Sequence, residues 1–593
     1  MKCDDYIKTL QDNVTKTYKK APDSLPEKIN LEAKTIAGKF KIADRVDVMA
    51  EQEAFFTIKD HKEDFRTNPK YRLLNPTKSE LGKLSQSILQ KINKTIKEKL
   101  GFNQWHNTSE VIDWFQKIPE KHSCSFTIFD IEEFYPSISE NLLVKALKFA
   151  KQHTNIKKED LNVINHCRKS LLYCNGNAWV KKNGNQNFDV TMGSYDGAEV
   201  CEIVGIFLLN TLSKKYQKKD IGLYRDDGLA VFKNVSAREN DKIRKDLIKI
   251  FKDNDLKLEI KCNLKSVDYL DVTFDLETGT YKPYSKPNNT IRYIDARSNH
   301  PPNIIKQLPK SISKRISSNS STKEIFTNTA PYYNNILKNC GYKENIEFID
   351  NNANKLNANI QKKKNRQRNI IWYNPPFSKN VKTNIAKKFL NLTKKHFPKN
   401  HKFNKIFNKN NIKVSYSCMD SMKKILSSHN KKILTEKTTN KPDNTIKTCN
   451  CRNKPSCPLN GSCLTENVIY KAEVTTSNTP DNETKTYIGL SEPPFKNRFS
   501  NHSKSFKHRK YENETELSKY IWALKDKGLE YKINWSILRE TKSYNPVTKS
   551  CNLCLTEKLM LIIERDKDRL LNKRSEMISK CRHQNKYILK NKT

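Results

Sequence analysis

The chain has 593 residues, with 110 Lys+Arg against 65 Asp+Glu and a formal charge of +45; Gly is 15, Pro 22 and Cys 15. At roughly 150 residues per domain this length holds about three or four domains, each able to bury a core, which excludes a lone small binding module. A hydrophobic content of 36% with 9% aromatics excludes a disordered polycation, so the positive excess belongs to a folded protein whose natural partner is a polyanion, nucleic acid before membrane surface.

In chain order, residues 1–44 read as helical and basic, broken by Pro22 and Pro26. From Phe55 to Leu276 short apolar runs of β type (FFTIK, CSFTIFDI, GLYRDDGLAVF, YLDVTFDL) alternate with helical periodicity (SENLLVKALKFAKQ, NDKIRKDLIKIF), the pattern of an α+β or α/β domain. Val204–Leu212 is the longest apolar run, about half of a membrane span and interrupted by Asn210. The opening MKCDDYIKTL has no apolar signal core, so an intracellular protein is expected. Residues 351–450 carry 24 Lys/Arg against 3 Asp/Glu, nearly half the net charge. Trp372, Tyr373, Phe377, Phe389 and Phe397 are interleaved there, which suits base stacking plus phosphate contact, a partly disordered linker being the alternative. A cysteine-rich knot follows, then ENVIYKAEVTT and TKTYIGLS as two strands with a helix after Pro493-Pro494.

The chemistry begins with carboxylates. SFTIFDIEEFYPSI puts Asp130 at the end of an apolar strand, and GLYRDDGLAVF puts Asp226 and Asp227 at a hairpin tip between two apolar runs. Adjacent acids repel each other, a cost that a bound cation removes, although Asp-Asp is also an ordinary turn. Three carboxylates around two Mg²⁺ ions would activate a 3′-hydroxyl and stabilise leaving pyrophosphate.

The flanking residues are more specific. Asp130 followed by Tyr135, and Tyr224-x-Asp226-Asp227, resemble motifs A and C of reverse transcriptases. The resemblance implies that Tyr135 lies under the sugar and excludes a 2′-hydroxyl. TMGSYDGAEVCEIVGIF resembles motif B, with Gly193 admitting the template and incoming base, though without the common Leu-Pro-Gln-Gly form. FFTIKDHKEDFRTNPKYRLLNPTKSELG resembles the fingers segment, in which Lys70 and Arg72 would bind the triphosphate of a dNTP. LEIKCNLKSVDYLDVTFD matches the motif D region, with Lys265 as proton donor to pyrophosphate. The string through Ser298-Asn299-His300-Pro301-Pro302 resembles Penelope-like retroelements, relatives of telomerase, and that resemblance runs from Tyr18 to the C terminus.

Such elements carry a GIY-YIG endonuclease after the polymerase, an expectation the last quarter of the chain can meet. Residues 468–470 read VIY and 487–489 read YIG, with Val468 in place of the first glycine. Arg498 and His502, four apart, share a helix face; Glu557 lies near the start of CLTEKLMLIIE, and Asn572 follows in LLNKRSE. Tyr470, Tyr487, Gly489, Arg498, His502, Glu557 and Asn572 resemble the GIY-YIG set in order and spacing. By that resemblance Glu557 holds a metal ion (Mg²⁺ or Mn²⁺), Tyr470 serves as general base, Arg498 braces the pentavalent phosphate, Tyr487 and His502 orient, and Asn572 positions the metal-binding helix.

Eight cysteines are scattered singly and seven lie between Cys449 and Cys581. Cys449, Cys451, Cys457 and Cys463 have the crowding of a structural Zn²⁺ site, and Cys551, Cys554, Cys581 and His583 form a second candidate set bracketing the Glu557 helix; free thiols in a small core are the alternative for both.

The expected architecture is multidomain α+β: a helical N-terminal segment (1–44), reverse transcriptase fingers and palm (45–320), a basic thumb-like nucleic-acid-binding region (321–440), a Cys-rich linker (441–465), a small α/β GIY-YIG nuclease domain (466–575) and a basic tail (576–593). Only about 45 residues precede the fingers-like segment, which reads as a shortened N terminus. The expected partners are RNA template, target DNA and primer, without a membrane, and the expected location is the nucleus. Two rival readings remain: a telomerase-like polymerase extending existing DNA ends, and a decayed copy that only binds nucleic acid.

Overall fold

A computed structural model describes residues 3–40, 42, 53–58, 67, 69–76, 79–182, 187–286, 291–350, 370–420, 422, 424–426, 429, 448–453, 455, 457–476, 484–542, 551–564, 568–577 and 581. The chain divides into two compact units, residues 1–298 with 302–364, and 299–301 with 365–593. Both mix helices and strands.

The first unit is organised on a five-stranded sheet in the order Leu258–Leu264, Cys124–Ile131, Asp227–Lys233, Ile221–Tyr224, Asn103–Gln104. The first four strands pair antiparallel and the last joins in parallel. One face carries Phe126, Leu229 and Val231 into a core with Trp105, Trp114, Phe115 and the hairpin strands Ser266–Tyr269 and Val272–Asp275. The helix Gly197–Leu212 packs on the strand Ile221–Tyr224 and receives the helices Glu80–Leu100 and Glu140–His153. Its apolar run Val204–Leu212 is therefore core, with Val204, Ile206, Leu208, Leu209 and Leu212 all buried, and among the described residues no helix is long and apolar enough to cross a membrane.

Pro26, expected as a break, instead stands in the first turn of the helix Leu25–Lys39, where its missing N–H leaves no bond unmade. The preceding helix Cys3–Thr17 runs into the strand Tyr18–Lys20, which extends a sheet with Asn177–Lys181 and Leu172–Cys174. Farther on, the helices Pro302–Ser318 and Lys323–Asn339 bury Ile312, Ile316, Phe326, Tyr333 and Leu337 together with Tyr342 and Ile346. The boundary expected at 320 thus falls in the turn between two helices that share one core.

The second unit has the sheet order Thr484–Ser491, Val468–Thr476, Tyr531–Glu540, all antiparallel. The third strand, absent from the sequence reading, makes Val468–Thr476 central. Helices Phe495–Lys507 and Glu516–Asp526 close a core of Tyr470, Val474, Phe495, Leu517, Ile521 and Trp535. A neighbouring core joins Ile469, Ile488, Leu553 and Leu561 to Phe403 and Ile406. Several aromatics expected to face nucleic acid are accordingly occupied: Phe397 packs on Phe407 with ring centroids 4.6 Å apart, and Phe389 stacks on Tyr373 at 4.1 Å. Trp372 remains 60% exposed.

Candidate active sites

Register brings the first three carboxylates together. Asp130 pairs with Asp227 on one side and with Glu259 on the other, and directly paired residues project to the same face of a sheet. The hairpin is tighter than the sequence implied: Tyr224 pairs with Asp227, so only Arg225 and Asp226 form the loop, Arg225 with φ 56°. The Asp226 carbonyl accepts the Ile131 N–H at 3.0 Å, tying the loop beside the end of the Asp130 strand. Asp130, Asp226 and Asp227 line one cavity of about 580 Å³. Burial, and then the neighbouring Asp226 and Asp130, push the Asp227 carboxyl up to about 7. The three acids thus offer carboxylate oxygens, the ligands that hard cations take, to one cavity.

Three basic residues share the rest of the lining with Glu133 and neutral side chains. Arg72, on the strand Tyr71–Leu74, lines it, while Lys70 precedes that strand, is exposed and is not part of the lining. Lys16 and Lys286 line it too, and Lys286 partly offsets the shift of Asp227. Neither lysine was singled out in the sequence, because lysines are too common here for any one to stand out. Tyr135, on the short helix Phe134–Ser137, is raised well above an ordinary phenol by burial, with Cys201 and Asp226 adding to the shift and Arg225 opposing it, which places it beside the acids.

Gly193 has φ 112°, and a Cβ there would stand 2.5 Å from the Asn75 carbonyl oxygen. Its glycine is needed because the 189–196 loop abuts the chain leaving the strand Tyr71–Leu74, where Asn75 N–H donates to Met192 O at 2.9 Å. This loop is clamped from behind. Buried Arg168 pairs with Asp196, Ser85 Oγ donates to the same carboxylate at 2.5 Å, and Asp189 N–H donates to Arg168 O at 2.8 Å. Lys265 is a correction. Its ammonium donates to the carbonyls of His122 and Cys124 at 2.8 and 2.9 Å, six residues along the strand from Asp130 and so about 20 Å away.

In the second unit Tyr470 is the hub. Its fully buried hydroxyl lies 2.7 Å from His502 Nε2 and accepts Arg498 Nε–H at 3.1 Å. Burial and Arg498 bring His502 down to about 3, so its imidazole stays neutral and its Nε2 can accept a hydrogen bond from the Tyr470 hydroxyl. Burial raises Tyr470, and the Arg498 charge and hydrogen bond pull it back. Tyr470 pairs across the sheet with Gly489, where a Cβ would lie 2.6 Å from Tyr470 Cζ and closer still to its hydroxyl. Val468, where the family name has glycine, is buried and pairs with Ser491 and Glu540.

Tyr487, Arg498 and Glu557 line a cavity of about 560 Å³ with Lys558 and Glu576. Glu576 was missed, although it follows Asn572 by four residues; it accepts from Tyr487 Oη at 3.5 Å and is raised by burial. Asn572 is a second correction. It does not hold the Glu557 helix: its Oδ1 accepts Ile488 N–H at 2.8 Å and its Nδ2 donates to Ile488 O at 2.9 Å, fastening the edge strand that carries Tyr487 and Gly489.

The four thiols of Cys449, Cys451, Cys457 and Cys463 converge within 4.8 Å of one another. Their separations of 3.8 Å (449–457), 3.6 Å (451–463) and 3.6 Å (449–463) match the roughly 3.8 Å edge of a sulfur tetrahedron with Zn–S bonds of about 2.3 Å. The Gly461 N–H donates to Cys457 Sγ at 3.2 Å, a contact that favours the thiolate. Cys551, Cys554 and Cys581 form a second cluster, and Cys554 and Cys581 also line the Glu557 cavity. His583 lies outside the described residues.

The sequence model of the Animal helix-turn-helix domain matches residues 292–354, the segment that holds the paired helices. No curated protein matches the chain. Among solved structures it is similar in part to a telomerase from Candida albicans in complex with a TWJ fragment of telomeric RNA (11% identity, TM-score 0.41, 57% of this chain and 59% of that one). It is also similar in part to apo telomerase from Candida tropicalis (11%, 0.33, 53% and 56%) and to the RNA-dependent RNA polymerase of a human picobirnavirus (13%, 0.36, 52% and 61%). The chain spans about three fifths of the length of the telomerases it matches.

Proposed function

We propose that the chain is an RNA-directed DNA polymerase joined to a DNA-nicking endonuclease of GIY-YIG type, acting as a Penelope-like retroelement protein in target-primed reverse transcription. The observation that carries the polymerase is the cross-strand row Asp130–Asp227 with Asp226 beside it, set in a cavity whose other walls bear Arg72, Lys16 and Lys286. Divalent metal held by the three carboxylates would activate the primer 3′-hydroxyl and take up charge on the leaving pyrophosphate. Arg72, Lys16 and Lys286 bind the triphosphate, and Tyr135 limits the space at the sugar. RNA template and DNA primer enter the open side of the same cavity.

For the nuclease, the supporting observation is the Tyr470–His502–Arg498 network beside Glu557. Neutral His502 accepts a hydrogen bond from Tyr470 and fixes that hydroxyl, Tyr470 helps to orient the attacking water, and Arg498 stabilises charge on the phosphate. A metal ion at Glu557 would polarise that phosphate. The nick leaves the 3′-hydroxyl that the polymerase extends, so the substrate is chromosomal DNA and the working compartment the nucleus.

Primer extension on an RNA template with Mg²⁺ or Mn²⁺, run beside Asp226→Ala, tests the polymerase; equal activity would remove it. Nicking of a supercoiled plasmid with Glu557→Ala tests the nuclease. Unchanged genomic insertion by a Glu557→Ala protein that no longer nicks would separate the two activities.

A further inference from the structure

Three walls of the polymerase cavity are joined behind it by a buried polar junction that the chemistry proposed above does not use. One wall is the start of the strand Tyr18–Lys20, whose Tyr18 lines the cavity just after the helix Cys3–Thr17. Another is the short helix Phe134–Ser137, which contributes Phe134 and Pro136 and carries Tyr135 between them. The third is the loop that begins at Asp189 and lines the cavity with Val190, Thr191 and Met192. Lys181 and Asp189 stand behind these walls and are not part of the lining.

Register assembles the junction. Tyr18 pairs directly with Lys181 across antiparallel strands, so both side chains project to one face. On either side of the pair, Lys182 N–H donates to Thr17 O at 3.0 Å and Ala21 N–H donates to Ala178 O at 2.8 Å. The Tyr18 hydroxyl donates to Asp189 Oδ2 at 2.8 Å, and the Lys181 ammonium lies 3.7 Å from Asp189 Oδ1. The same ammonium donates to the Pro136 carbonyl at 2.5 Å. Asp189 is 2% exposed, and a carboxylate buried that deeply is costly without its partners. Burial raises its carboxyl above the usual range, and Lys181 and the Tyr18 hydrogen bond oppose that shift.

The Pro136 contact matters because the helix it holds is one turn long. Such a helix leaves its last carbonyls without partners of its own, and its cap residue Glu133 sits at φ 46° with no side-chain bond to the turn. Lys181 supplies a donor at the C-terminal end, where a cation is also favoured. On its other side Tyr135 meets the helix Gly197–Leu212, since a Cβ on Gly197 would lie 3.4 Å from Tyr135 Cε1. The ring is thus held between a packed helix and a turn that Lys181 ties down. We propose that Lys181, seated on Asp189, is a positioning residue for the sugar of the incoming nucleotide. It sets the spacing between the Tyr135 turn and the Val190–Met192 loop, and through that spacing how tightly the cavity closes on a deoxynucleotide and how strongly it refuses a 2′-hydroxyl. Lys181 acts through Pro136 and Asp189 and from outside the cavity lining. The inference rests on the polymerase reading.

The test is single-nucleotide primer extension by the full chain on an RNA template, run with a dNTP and with the matching ribonucleoside triphosphate. In Lys181→Met, KM for the dNTP should rise by about tenfold, the worth of one hydrogen bond to a charged group, with kcat changed by less than about twofold. The preference for dNTP over ribonucleotide should narrow by about the same factor, and Lys181→Arg, which keeps the charge and the donors, should restore both. Tyr18→Phe keeps the ring in its core and removes only the hydroxyl on Asp189, so it should move both quantities the same way by about threefold, and it carries the test if Lys181→Met does not fold. A fall in kcat with unchanged KM and unchanged preference, wild-type values in a folded variant, or no recovery in Lys181→Arg would each overturn the proposal. A wild-type protein that extends with neither nucleotide would remove the polymerase reading and this inference with it, whereas an active wild type with unaltered variants removes the inference alone.

Discussion

Substituting Gly489→Ala is the sharpest perturbation of the second site, because it adds one methyl group that touches no charge and removes no contact. An added Cβ would sit 2.6 Å from Tyr470 Cζ, about 0.8 Å inside an ordinary van der Waals contact, and 3.0 Å from Tyr487 Cε1. Tyr470 has no free space to retreat into: its ring packs against Phe495, Trp535 and His502 with centroids 5.2 to 5.8 Å away. Either the ring shifts by several tenths of an ångström or the two strands separate. Overpacking of this kind costs about 1–3 kcal/mol of stability. A shift of the ring also stretches the 2.7 Å contact with His502 and the 3.1 Å bond from Arg498. Misplacement approaching 1 Å costs on the order of 100-fold in rate, so plasmid nicking should fall by about that factor, with the rate measured well below the lowered melting point of the second unit. Primer extension, assigned to the other unit, should be unchanged. Nicking at the wild-type rate by a folded Gly489→Ala protein would refute the placement of Tyr470 at the reacting phosphate.

Three further outcomes are expected. Metal analysis of the purified chain should find at least one zinc, and Cys457→Ser should lower the content by one; a chain without zinc that keeps its melting temperature in chelator would show the four thiols to be packing alone. The folded-state value of about 7 for Asp227 lies above its ordinary 3.8, and an acid raised by folding takes stability away as pH climbs between those two values, because the unfolded chain releases its proton first. The metal-free protein should therefore lose up to about 4 kcal/mol from this group between about pH 4 and 7, and Mg²⁺ should raise the melting temperature more at pH 8 than at pH 5; equal shifts would refute the cation site. Arg168→Met should destabilise the first unit by about 3–5 kcal/mol by stranding Asp196, and adding Asp196→Leu should recover part of the loss; a single variant as stable as wild type would remove Arg168 as the clamp of the 189–196 loop.

What could be read from the sequence was chemistry that short-range pattern encodes. Asp130 at the end of an apolar run and Asp226-Asp227 between two such runs carry their own strand signals, and antiparallel pairing of those strands leaves few registers that bury both apolar faces, one of which sets Asp130 opposite Asp227. The pair Arg498 and His502 is fixed by helical spacing in the same way, and the thiols of Cys449 to Cys463 by crowding within fifteen residues. Lys265 failed for the converse reason. Its place depended on which end of the Asp130 strand the following hairpin meets, and a bulge between Lys261 and Leu264 lies in that path, invisible to period and composition.

The basic region between the proposed active sites shows a second limit of composition. A run of lysines with aromatics at intervals has the same appearance whether the rings stack on bases or on each other, since both arrangements need exposed cations around a flat apolar surface. The structure divides them: Phe389 and Phe397 have protein partners, Phe403 and Ile406 complete the core beneath Ile469 and Ile488, and Trp372 and Tyr373 are exposed. The described part of this stretch thus gives Phe403 and Ile406 to the core of the second unit while Phe389 and Phe397 are only partly covered. Its exposed lysines still raise the local field for a polyanion whether or not the rings stack on bases, because that field depends on charge and not on where the rings lie.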